Sequence, residues 1–92
     1  MKVRLKRKHI TKGMSARADA CPIALAIREK THRHVTVSDG DAITLYRNGL
    51  YSQYIAKPTK KVTRFIRQFD ITHVTCRKRF KPFTFTLVPV TE

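Results

Sequence analysis

The dipeptide Asn48-Gly49 stands between two stretches of alternating apolar and polar residues, and it constrains the fold of this chain more than any other local feature. A two-residue hairpin turn of type I′ needs positive φ at both central positions, which Asn and Gly tolerate. With these two as the loop, Arg47 faces Leu50, Tyr46 faces Tyr51 and Ile43 faces Tyr54. Two antiparallel strands, their register and an aromatic cross-strand pair follow. The first strand runs from Ala42 to Arg47 with Ile43 and Leu45 on one face. Upstream, Val35 and Val37 alternate with His34, Thr36 and Ser38, and Asp39-Gly40 supplies a further tight-turn signal.

Val3 and Leu5 alternate with Lys2, Arg4 and Lys6, the period of a strand with one apolar and one basic face, and Arg7 ends the pattern. Asp19 is placed to cap a helix that carries Pro22 in its first turn and runs to about Lys30. Ile23, Ala24 and Ile27 share a face that Ala20 and Leu25 widen, so this is expected to be the most buried helix. Pro58 stops the sheet and Thr59 is placed to cap a second helix, in which Val62, Phe65, Ile66 and Phe69 recur at i, i+3, i+4 and i+7. Phe83, Phe85 and Leu87 alternate with Thr84, Thr86 and Val88 in a last strand that stops near Pro89.

At 92 residues the chain has room for one core, so residues 1–92 are read as a single domain. The element order β-α-β-β-(β)-α-β predicts an α+β fold of two layers, a small, mostly antiparallel sheet with both helices on one face. A split βαβ connection is one way to thread it. A basic loop, 76–81, separates the second helix from the last strand.

An apolar share of 41% argues for a folded chain. No run approaches the roughly 20 apolar residues of a membrane span, and the charged stretch from Lys2 to Lys8 lacks the apolar region of a secretory signal. Cys21 and Cys76 read as buried thiols in a reducing setting. His32 and His34, with His9 and His73, find no Cys or carboxylate at a ligand spacing, so neither metal nor cofactor is expected. Asp19, Asp39, Asp41 and Asp70 read as caps and turns rather than as catalytic pairs. The neighbours of Cys21 are Pro22 and Ile23, not the electropositive surroundings of a nucleophile, and the glycines are too isolated to cradle phosphate. The chain is not read as an enzyme.

Charge is the large functional signal, with 20 Lys and Arg against 6 Asp and Glu and a net +14. Such an excess repels itself unless an anion offsets it. The cations group as Lys2, Arg4, Lys6 and Lys8 on the first strand, Lys60, Lys61, Arg64 and Arg67 on the polar side of the second helix, and Arg77, Lys78, Arg79 and Lys81 in the loop. Those stretches contain no acid, whereas a solvated face ordinarily mixes both signs. They are the expected contacts to the phosphates of DNA or RNA, with little base readout. Tyr46, Tyr51 and Phe80 are candidates for base stacking, set against structural roles as a hairpin pair and a core anchor. The alternatives are a phage inhibitor or host-takeover protein that binds an acidic host defence or nucleic-acid-processing protein, and a virion structural protein. A lipid surface fits less well, because no basic face is paired with an unburied apolar one.

The run from Cys21 to Ile27 (Cys-Pro-Ile-Ala-Leu-Ala-Ile), Phe65-Ile66, Phe69-Asp70 and the run from Lys81 to Leu87 (Lys-Pro-Phe-Thr-Phe-Thr-Leu) resemble a group of small uncharacterised proteins encoded mainly by bacteriophages. The resemblance covers most of residues 9–88. It implies an N-terminal strand, a Cys-Pro helix, a hairpin, a helix ending in Phe-Asp and a terminal strand. It also implies a phage origin, and with it the cytoplasm of an infected bacterial host, but no activity. The segment from Ile71 to Lys81 is longer here and the chain more basic than the group's pattern, so a function carried by charge does not come with the resemblance.

Overall fold

In the computed structural model, which describes residues 1–14, 17–38, 42–71 and 79–90, Asn48 and Gly49 adopt φ of 50° and 80°. Positive φ at both positions is what the tight hairpin requires. Strands β3 (Ala42–Arg47) and β4 (Leu50–Lys57) accordingly pair with Arg47 opposite Leu50, Tyr46 opposite Tyr51 and Ile43 opposite Tyr54. On the other side of β3 lies β2 (His34–Ser38), and the Asp39-Gly40 turn expected between them lies outside the described residues. The strand β5 (Phe83–Pro89) pairs with β4, and β1 (Lys2–Leu5) pairs with β5. The five-stranded sheet is antiparallel throughout, in the order β1-β5-β4-β3-β2.

Alternation places Val3, Leu5, Val35, Val37, Ile43, Leu45, Ala56, Phe85 and Leu87 on one sheet face, all buried. Helices α2 (Pro22–Thr31) and α3 (Thr59–Ile71) close over that face. Ile23, Ala24, Ala26 and Ile27 from α2 and Val62, Phe65 and Phe69 from α3 join the strands in one apolar cluster. This is the expected two-layer α+β arrangement. The ring of Phe65 packs 5.8 Å from Phe69, 5.2 Å from Phe80 and 5.5 Å from Phe83, centroid to centroid. Phe80 is therefore a core anchor, tying the segment before β5 to α3.

Because every neighbouring pair is antiparallel, β1 and β2 run in the same direction at opposite edges of the sheet. The helix α2 joins them and packs against both. This is not the expected split βαβ connection, since β5, β4 and β3 all lie between the two parallel strands.

Several local features differ from expectation. A short helix, α1 (Arg7–Lys12), follows β1 where none is expected. Its buried residues are His9 and Ile10, and a turn and a half with one aliphatic side chain carries no readable period. The first turn is held by His9, whose Nδ1 accepts the Lys6 backbone N–H at 2.9 Å. Lys6 and Lys8 consequently leave the strand, Lys6 at the helix cap and Lys8 within α1.

Cys21 rather than Asp19 caps α2. Its Sγ accepts the Ala24 N–H at 3.4 Å, and Pro22 takes the first helical position. Asp19 instead accepts from Arg17 Nε at 3.4 Å. Burial pushes the Cys21 thiol above its ordinary range, more than the Ala24 hydrogen bond pulls it down. Cys76 lies outside the described residues. The helix closes with His32 at φ 57°, its N–H donating to the Arg28 carbonyl at 2.7 Å.

At α3 the cap again differs. Thr59 is the first helical residue, and its hydroxyl donates to the Ala56 carbonyl at 3.5 Å, while the Pro58 carbonyl accepts from Val62 N–H at 3.1 Å. No helix among the described residues is long and apolar enough to cross a membrane.

Candidate nucleic-acid interface

The cations singled out in the sequence fall on separate surfaces. Since Val3 and Leu5 point to the core, Lys2 and Arg4 project from the opposite sheet face, which carries none of α1, α2 and α3. Pairing sets Lys2 beside Thr86, and Thr86 in turn beside Lys57 of β4, so two lysines flank a threonine hydroxyl across three strands. Arg4 lies beside Thr84. Lys57 is absent from the sequence-based set, because its approach to β1 depends on how β5 inserts between them.

Lys6 and Lys8 are not free of acid, contrary to expectation. Both reach Glu29 of α2, Lys6 Nζ at 3.1 Å from Oε1 and Lys8 Nζ at 2.9 Å from Oε2. The Nε2 of His9 completes the cluster at 2.8 Å from Oε2. With Nδ1 accepting from Lys6, the imidazole donates to the carboxylate from Nε2. Hydrogen bonds from Lys8, then His9, then Lys6 hold the Glu29 carboxyl at about 2, well below its usual range. Packing of α1 on α2 brings this acid to His9 across 20 residues and to Lys6 across 23, a relation that the basic run by itself does not reveal.

On α3, Lys60, Lys61, Arg64 and Arg67 are all exposed, Lys60, Arg64 and Arg67 on the side away from the Phe65 and Phe69 stripe and Lys61, contrary to expectation, at the flank of that stripe. Lys60, Arg64 and Arg67 line a shallow groove of about 380 Å³ with Thr59, Thr63 and Gln68, and no acid lines it. Lys61 instead turns its Nζ over the Phe83 ring, 4.9 Å from the centroid. Arg79 and Lys81 are exposed and flank Phe80, whose packing on Phe65 and Phe69 holds them beside α3. Arg77 and Lys78 lie outside the described residues.

A cationic cleft absent from the sequence-based set opens where α1, the end of α2 and the start of β2 meet. It measures about 660 Å³, and Lys8, Lys12, Arg28, His32, Arg33 and His34 are among its lining residues. The usable signals are the i, i+4 spacing of Lys8 with Lys12, which puts that pair on one helical face, and the nearness of Arg28, in the last turn of α2, to its capping residue His32. Recognising the first pair required α1. Among the described residues no three His, Cys, Asp or Glu side chains gather as metal ligands would.

No family model, curated protein or solved structure matches this chain, so the comparisons give no support to the expected resemblance to phage-encoded proteins.

Proposed function

We propose that this protein binds nucleic acid through its phosphates, with little readout of base sequence, in the cytoplasm of an infected bacterium. The observation that carries the reading is the groove on α3, where Lys60, Arg64 and Arg67 stand together without an acid while the opposite stripe of the same helix is committed to the core. A face kept only for solubility would intersperse both signs. Arg offers a planar fork to phosphate oxygens and Lys a mobile point charge, a mixture suited to backbone contacts. Lys2, Arg4 and Lys57 on the outer sheet face, together with Arg79 and Lys81, extend the positive surface beyond that groove.

Binding of a mixed-sequence duplex, followed by fluorescence anisotropy across a salt series, tests the reading. If six to eight cations meet phosphates, log affinity falls against log salt with a slope of about −5 to −7. Failure of the folded protein to bind DNA or RNA below about 100 μM at low salt would reject it and favour an acidic protein partner.

A further inference from the structure

His34, Tyr46 and Tyr51 form one row across β2, β3 and β4, since His34 pairs with Tyr46 and Tyr46 with Tyr51. Their strand neighbours Val35 and Leu45 are buried, so the row projects from the opposite sheet face, the one that carries none of α1, α2 and α3. The row is open to solvent, with Tyr46 39% and Tyr51 66% exposed. It is also ordered from below. The His34 and Tyr46 rings stand 5.3 Å apart, and Arg33 Nε donates to the Tyr46 carbonyl at 3.3 Å.

Two concavities meet at this row. The cationic cleft and a second hollow of about 470 Å³ share His32, Arg33 and His34, and the second continues to Tyr46, Arg47 and Asn48. Glu29 is the acid that lines the pair, and it is already held by Lys6, Lys8 and His9. A solvent-facing aromatic row with cations running away from one end has the chemistry of a single-strand track, in which base faces stack on the rings and the backbone follows the positive trough. A duplex hides its base faces and has no use for the rings.

We propose that His34, Tyr46 and Tyr51 are a base-stacking platform, and that with Arg33, Arg28 and Lys12 they bind single-stranded nucleic acid in preference to duplex. The proposal rests on the nucleic-acid reading above and adds to it the strandedness of the ligand and the residues that select it.

The chain has no Trp and 3 Tyr, so its intrinsic emission comes from tyrosine, and stacking on Tyr46 and Tyr51 reports itself by quenching. The probes are an oligodeoxythymidylate of about 15 nucleotides, within the span of known single-strand sites, and a duplex of equal length. The single strand should bind more tightly than the duplex and quench the emission. Tyr46→Leu and Tyr51→Leu should each weaken single-strand binding about tenfold, with duplex binding unchanged, and Tyr51→Phe should restore it. Circular dichroism reports whether each variant is folded, and the quenching of the unaltered protein needs no variant. Binding without quenching and without single-strand preference would overturn the platform while leaving the phosphate reading in place. Absence of binding to either probe would overturn both.

Discussion

Glu29 Oε2 lies 2.8 Å from His9 Nε2, and the same oxygen receives Lys8 Nζ at 2.9 Å. One carboxylate thus fastens α1 to α2, with Lys6 on its other oxygen. Its pKa falls from an ordinary 4.5 to about 2 on folding, chiefly through Lys8. A depressed carboxyl pKa contributes stability above pH 4.5 that is lost as the pH falls toward 2. Thermal unfolding of Glu29→Gln against the unaltered protein should therefore show a gap at pH 6 that narrows through this window, about pH 4.5 to 2. Titration of the Glu29 side-chain carbonyl by NMR should place its midpoint near 2. A midpoint at 4.5 would mean that the cluster does not form.

Gly13 is required for space. A Cβ built there would lie 2.5 Å from Pro22 Cγ and 2.8 Å from the Pro22 backbone nitrogen, so the chain entering α2 would have to shift. Gly13→Ala should cost about 1–3 kcal/mol, the usual range for overpacking, measured by urea unfolding. Unchanged stability would show that α1 and α2 do not approach so closely.

The Phe65 ring, in contact with Phe69, Phe80 and Phe83, joins α3 to both the sheet and the segment before β5. Phe65→Ala should destabilise by about 3–5 kcal/mol. A melting temperature equal to that of the unaltered protein would remove α3 from the core.

Gly49 presents the opposite case to Gly13, with open space around a Cβ and a φ of +80° that L side chains resist. Gly49→Val should cost about 1–2 kcal/mol through backbone strain. Full stability of this variant would exclude the positive φ.

Charge reversal at Arg64 and Arg67 should reduce affinity for unrelated duplex sequences about equally and flatten the salt slope by about 2, close to 0.9 per phosphate contact. Both side chains are exposed on the side of α3 away from the core, so the melting temperature should move little. A drop for one sequence alone would point to base readout at this helix.

The features legible in the sequence are those set by residues within a few positions of one another. Asn48-Gly49 determined the hairpin register, and the spacing of Val62, Phe65, Ile66 and Phe69 identified the inward face of α3. The helix α1 was hidden because its stabilising groups are a histidine bonding back to Lys6 and a glutamate from the next helix, neither of which has a periodic signature. The cap of α2 departs from the sequence pattern because Asp is the commoner capping residue, whereas Cys21 sits immediately before Pro22 and its sulfur meets the Ala24 amide. In the candidate site, the α3 cations were legible from helical phase. The neighbours of Lys2, the partner of Lys8 and the cleft beside His34 arise from contacts between distant segments, which no local pattern encodes.

The pairing of Lys2 with Thr86 joins strands from opposite ends of the sequence, whereas β2, β3 and β4 follow one another as a meander. During synthesis the meander can assemble as it emerges, but β1 waits for β5, a closure of long range and correspondingly slow. Until then Val3 and Leu5 belong to an unpaired strand, the kind of segment that recruits other chains into aggregates. Lys2 and Arg4 alternate with them, and like charge discourages edge-to-edge addition of a second copy. Like charge along β1 thus opposes self-association of that strand while its partner is still missing.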